Sequence, residues 1–429
     1  MKNILLVFFF ILTICKLNAK ESLSFYLNKA LENNLELNAE RKNFDSAIQN
    51  KNISRSEFLP SITISGDQTS TTSSNRTDQN GSSLTDTNLD SESKKISIEQ
   101  KIFSGFKGLN TFKKSDLETQ KANLELKEKE QKTILDTAFA YYDLIYKTKN
   151  ERVNISNVNL FERQVEYDNA RMQNGEVSLT DLAQSESSLA GANANLIKAK
   201  TELLSSISNF ERVTRESAPS IENLNGKEIL ALPSSLNSAQ EISNLNNINL
   251  LISKLNFEIS KRELNIERSR ISPTASIEVS KTENSDFSST VDEKDEEKVK
   301  ATISWPIIKG GENISAIKKS TFNKQRYQLL LEDTKNKINI DTSNSWSKNQ
   351  SSKSVLEATR AQLKAAEIAN EGITLEYDSG NTRTTLEVIQ SRSLLFEARI
   401  AFAKAERDFM ISQFELAKQI GTLSKNSLK

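Results

Sequence analysis

The groups able to do chemistry in this 429-residue chain are carboxylates, ammonium and guanidinium ions, and hydroxyls, because it holds no histidine and one cysteine, Cys15. Without histidine there is no Ser-His-Asp or Cys-His relay, no imidazole metal ligand and no imidazole pH switch. One cysteine makes neither a disulfide nor a thiolate zinc site. No Walker A run or dinucleotide fingerprint occurs. The expectation is a protein that is not an enzyme and carries no cofactor. Polar residues gather instead beside two glycines, Gly175 and Gly380, each between two long helical stretches. Thr180 and Asp181 follow the first; Arg383, Glu387 and Gln390 follow the second. On sequence alone Thr180 and Asp181 read equally as helix N-capping residues, and Glu387 as a solvated glutamate on a helix face. Glu99, Lys101, Glu278 and Lys300 lie on the polar side of short alternating segments.

The elements that must position these residues are long. Glycine occurs 12 times and proline 5 times, so little interrupts regular structure. Leu109 to Asn174 is a run of 66 residues with neither, about 100 Å of helix if continuous. Glu312 to Glu371 is glycine-free as well. Helices of that length suggest a cylinder or rod. Lys and Arg together equal Asp and Glu, 57 each, which excludes a nucleic-acid binder held by bulk charge.

The chain is duplicated. Leu182, Leu189, Leu196, Leu203 and Phe210 recur at a seven-residue step, with Ser185, Ala192, Ala199 and Ser206 three positions behind the first four. An offset of 206 turns the large set into Val388, Leu395, Phe402, Phe409 and Leu416, and the small set into Ser391, Ala398, Ala405 and Ser412. Strict heptads drive left-handed supercoiling, and the small seam lets helices approach closely. Gly105 maps to Gly310 and Gly175 to Gly380 at 205, the difference fitting an extra Asn381.

Four segments break the helical period. Strands with one apolar and one polar face are expected near 58–66, 95–103, 272–281 and 298–307, as two hairpins with long polar tips, 66–93 and 282–297. Either the apolar faces pack on the chain's own helices, or they face lipid. Four strands close no barrel, the smallest having about eight, so the second reading demands an oligomer. Phe58, Phe103 and Trp305 lie at the ends away from the tips, where an interfacial girdle belongs. At the N-terminus, Lys2, the apolar run Ile4 to Ile14 and Leu17-Asn18-Ala19 read as a secretory signal; a buried helix and lipidation at Cys15 are the other readings. The expected division is a signal peptide over 1–19, a first repeat over 20–216, a linker over 217–237, a second repeat over 238–423 and a polar tail over 424–429.

In this order the chain resembles the TolC-type outer-membrane efflux proteins. The resemblance rests on Phe58-Leu59-Pro60-Ser61-Ile62, Ile102-Phe103-Ser104-Gly105-Phe106 and its counterpart Trp305 to Gly311. It continues in Ala140 to Leu144, Asn174 to Leu182 and Gly380 to Thr384. It implies a mainly α fold with a small β part: a homotrimer in which four strands per chain build a 12-stranded transmembrane barrel in outer-membrane lipid, and coiled helices form a periplasmic tunnel. It also implies a passive exit duct from the periplasm, within a tripartite efflux or type I secretion system. A periplasmic adaptor, or membrane fusion protein, and an inner-membrane transporter are the implied partners. Gly175 and Gly380 become the turns of a closed periplasmic tip. Glu387 and Gln390 match a pair lining the tip constriction; Thr180, Asp181, Tyr377 and Arg383 match residues that latch it through polar contacts. The competing reading is a structural or adhesive trimeric coiled coil without a pore, which has no need of two hairpins with long loops on one side.

Overall fold

The computed structural model describes residues 22–219, 230–288, 291–379 and 383–427. The signal segment with Cys15, the middle of the linker, Gly380 and Asn381 lie outside the described residues.

One order of elements occurs twice. In the first copy it is α1 (Leu23–Asn33), α2 (Leu35–Arg55), β1 (Ser61–Ser73), β2 (Thr87–Ser104), α3 (Lys107–Gln173) and α4 (Leu179–Thr214). In the second it is α5 (Leu236–Asn246), α6 (Ile248–Arg268), β3 (Thr274–Ser285), β4 (Lys294–Ser304), α7 (Glu312–Asp378) and α8 (Thr385–Gln419). Paired elements match in length: α3 and α7 are each 67 residues, α2 and α6 each 21. The copies differ chiefly in the hairpin, whose strands are 13 and 18 residues in the first and 12 and 11 in the second.

The strands form one antiparallel sheet in the order β1-β2-β3-β4, so the two copies join at its centre, with Ile98 opposite Val279. The strands exceed the alternating segments. β1 continues past Gly66 through a Ser/Thr-rich stretch to Ser73, where the ladder with β2 still pairs Ser73 with Thr87. Ladder pairing satisfies the backbone whatever the side chains do, and threonine suits extended structure. Residues 56–58 form a 3₁₀ turn rather than strand. At the sheet's exit Gly105 has φ +63, and a Cβ there would meet Ser272 Cβ at 2.4 Å, so no larger residue fits.

Contacts divide the chain into two units, and each draws on both copies. One holds the sheet with most of α2 and α6 and the adjoining starts of α3 and α7. The other holds α1, α4, α5, α8, the first residues of α2 and α6 and most of α3 and α7. The core of the second unit joins Leu23, Tyr26 and Leu27 to Ile134, Tyr141, Phe210 and Phe414. Tyr26 meets Phe210 edge to face at 4.9 Å. All eight small heptad residues, from Ser185 to Ser206 and from Ser391 to Ser412, are buried. The serine hydroxyls among them bond side chains of the long helices: Ser206 gives a hydrogen bond to Asp143 at 3.1 Å, and Ser412, 206 positions later, to Asn349 at 3.1 Å.

Candidate functional site

The polar residues singled out by spacing lie where four helices end and begin. α3 stops at Gly175 in a left-handed conformation, φ +75. The Glu176 amide reaches back to the Arg171 carbonyl and the Gly175 amide to Met172, both at 2.9 Å, the pairing of a Schellman C-cap. α4 then begins with a capping box. Ser178 Oγ accepts from the Asp181 amide at 3.2 Å, and Asp181 Oδ2 accepts from the Ser178 amide at 3.0 Å. α8 begins in the same way 206 residues later: Thr384 Oγ1 accepts from the Glu387 amide at 3.3 Å, and Glu387 Oε2 from the Thr384 amide at 2.8 Å. Asp181 and Glu387 are thus one position of the duplicated unit. The Ser178 hydrogen bonds hold the Asp181 carboxyl below its usual range, and the Thr384 amide, with Arg383, does so for Glu387.

Arg383 bridges two carboxylates, Glu376 at 2.6 Å and Glu387 at 3.0 Å. One oxygen of Glu387 therefore faces the cap and the other faces a cation. The group of Glu376, Arg383 and Glu387 carries one net negative charge. Thr180 is exposed on the first turn of α4 and Gln390 on the second turn of α8.

Tyr377 lies elsewhere. It is buried at the end of α7, and its hydroxyl donates to Asp168 Oδ1 at 3.0 Å. The phenol has one proton, so the contact with Thr385 Oγ1 at 3.1 Å requires Thr385 to donate to Tyr377. Asp168 has no exposed surface, and its carboxylate takes donors from three helices. From α3, the Gln164 amide nitrogen lies 2.9 and 3.0 Å from its two oxygens; from α4, Ser185 Oγ lies at 2.5 Å; from α7 comes Tyr377. The Gln164 oxygen faces the opposite way and accepts from Arg392 on α8 at 2.8 Å. Arg171 stacks over the rings of Tyr167 and Tyr377 at 5.5 and 5.3 Å. Burial, reinforced by the Asp168 charge, pushes the Tyr377 phenol up against the opposing hydrogen bond from Thr385.

Sequence reasoning thus found the ends of the four helices and missed the node that joins them. The capping boxes carry a legible signal, Ser178-x-x-Asp181 and Thr384-x-x-Glu387. Asp168 carries none beyond an acid on the otherwise buried stripe of α3. Among the described residues no group of three or more His, Cys, Asp or Glu side chains is placed to hold a metal.

The family model "Outer membrane efflux protein" matches residues 26–213 and again 244–422, once in each copy. The outer membrane efflux protein BepC of Brucella suis is 23% identical over 413 residues, covering 95% of this chain and 87% of that protein. The outer membrane protein TolC of Escherichia coli is 22% identical over 428 residues, covering 96% and 84%. Among solved structures, the Campylobacter jejuni CmeC outer membrane channel superposes with a TM-score of 0.81 at 15% identity, covering 94% of this chain and 86% of that one. VceC of Vibrio cholerae does so with a TM-score of 0.78 at 14% identity, covering 93% and 96%.

Proposed function

The chain belongs to the outer membrane efflux protein family, and from that premise we propose that it is the exit duct of a tripartite efflux or type I secretion system. The observation that carries the reading is the sheet. Ile62, Ile98, Val279 and Val299 pair side by side across all four strands, and every one is exposed. The opposite face places Ser61, Glu99, Glu278 and Lys300 in the adjoining row, and Lys95 bridges Glu278 at 2.7 Å. β1 and β4 are edges, each with a row of backbone groups facing outward. An apolar face of this kind is matched by lipid, and lipid tolerates no open edge. Three copies supply twelve strands and close the ring with the apolar rows outside and the charges lining a lumen. No described helix is long and apolar enough to cross a membrane.

The outer membrane is where this duct sits, and its helices reach into the periplasm. The energy for transport comes from an inner-membrane transporter coupled through a periplasmic adaptor; the duct itself is passive. Its gate is the group of helix turns, with Glu387 and Gln390 at the constriction and Thr180, Asp181, Tyr377 and Arg383 among the contacts holding it. Purified protein in a planar bilayer tests this: ion conductance by a detergent-extracted, heat-modifiable trimer is the expected result. A buffer-soluble product without conductance would leave the pore-free coiled coil in its place.

A further inference from the structure

The geometry points to Asp168 as the residue that anchors the gate within each chain. The inference rests on the duct reading above and adds to it a positioning residue outside the exposed turn contacts.

Asp168 sits in the last turns of α3 and collects α4 through Ser185 and α7 through Tyr377. Tyr377 in turn receives Thr385, the first residue of α8. The Tyr377–Thr385 pair thus brackets the turn between α7 and α8. Arg392, two turns further along α8, closes the circuit through Gln164 back to the same carboxylate. Four helix ends are tied by one buried acid. Displacing α7 and α8 from α3 and α4 strips that fully buried acid of its donors, which is costly for a charged group. Asp181 makes no such tie, since its carboxylate is taken up by Ser178 on its own helix. The Arg383 pairs with Glu376 and Glu387 are likewise confined to the ends of α7 and α8. The Asp168 node therefore links the second-copy turn to the first-copy helices by hydrogen bonds, and the Arg171 guanidinium stacked on the Tyr377 ring at 5.3 Å adds to the same junction.

The test is the resting conductance of full-length trimer in planar bilayers. Asp168→Asn keeps the shape but turns a donor-accepting oxygen into an NH2 facing other donors. It is expected to raise resting conductance roughly tenfold, the shift produced by losing about one charge-assisted hydrogen bond. Tyr377→Phe should open the channel to a similar degree, and the double variant should open it little further, because both remove one link. Trimer heat-stability and helix content should be retained, and Glu186→Gln, on the exposed face beside Ser185, should leave conductance unchanged. If Asp168→Asn does not assemble, Tyr377→Phe, which removes the hydroxyl between Asp168 and Thr385, and Thr385→Val, which removes the hydroxyl that serves Tyr377, carry the test. Intact trimers of these variants that stay as tight as wild type would overturn the assignment. Silence from wild type and every variant would remove the duct reading itself, a result distinct from a conducting wild type whose variants are no more open.

Discussion

Gln164 is an amide used at both ends. Its nitrogen serves Asp168 and its oxygen serves Arg392, so neither a carboxylate nor a methyl group of the same size replaces it. Gln164→Glu sets a second carboxylate about 3 Å from a buried one, and we expect a loss on the order of 2 kcal/mol in unfolding free energy despite the adjacent guanidinium. Adding Asp168→Asn should return most of it, because acid and amide have then exchanged places; a double-mutant cycle in denaturant reads the coupling. Tyr377 supplies the pH dependence. Its phenol is pushed up by burial first and by the neighbouring Asp168 charge. Folding therefore favours the protonated form. The contribution is fully present below the ordinary tyrosine pKa near 10 and is lost as pH rises through the higher folded value. The node should loosen in alkali, seen as rising conductance above about pH 10, and Tyr377→Phe should abolish that alkaline limb.

At the scale of elements, α4 and α8 start by the same device in both copies. Thr384→Ala frees the Glu387 amide and is expected to cost about 1 kcal/mol, as loss of an N-cap usually does. Hydrogen exchange should report it as lost protection confined to the first turn of α8, with Ser178→Ala doing the same for α4. Because both box carboxyls are held below their usual range, their share of cap stability is present above the ordinary carboxylate pKa. It disappears as pH falls through the depressed values. The signal of these caps is Ser or Thr followed three residues later by an acid; the sequence reading sets the first cap at Thr180 and Asp181, and the structure moves it to Ser178 with Asp181 as its box partner. The hairpins were legible only where apolar residues alternate; beyond Gly66 the ladder is carried by backbone pairing, which leaves no periodic trace in a Ser/Thr-rich stretch.

At the scale of the whole molecule the duplication has diverged in charge. Asp143 on α3 corresponds to Asn349 on α7, and Arg407 on α8 to Thr201 on α4. The surviving acid of the first copy meets the base of the second, Arg407 to Asp143 at 2.8 Å, with both side chains mostly covered. The same division holds near the turns, where Asp168 belongs to the first copy and Arg392 to the second. Such complementarity disfavours pairing of like copies and helps specify which helix lies beside which. The sheet makes the other whole-molecule prediction. Val279→Lys places a cation in the middle of the exposed apolar row at a cost of about 2–4 kcal/mol if that row faces the bilayer core. The heat-modifiable trimer in membranes should fall sharply while helical content by circular dichroism is kept; unimpaired membrane assembly would deny lipid contact at this row.

What the sequence by itself determined is local and periodic. Heptads set the buried seams of α4 and α8, scarcity of glycine and proline set the 67-residue helices, period two set the sheet's faces, and the 206-residue offset set the duplicated order. Each of these signals spans a few turns or repeats a unit, so it survives in the one-dimensional string. The tertiary structure alone decided that Tyr377 meets Asp168, 209 positions away, and that Asp181 turns back to Ser178. Partnership across helices depends on their rotation and axial stagger. Those are set by the sum of many small packing contacts along α3, α4, α7 and α8 rather than by any residue's own neighbours.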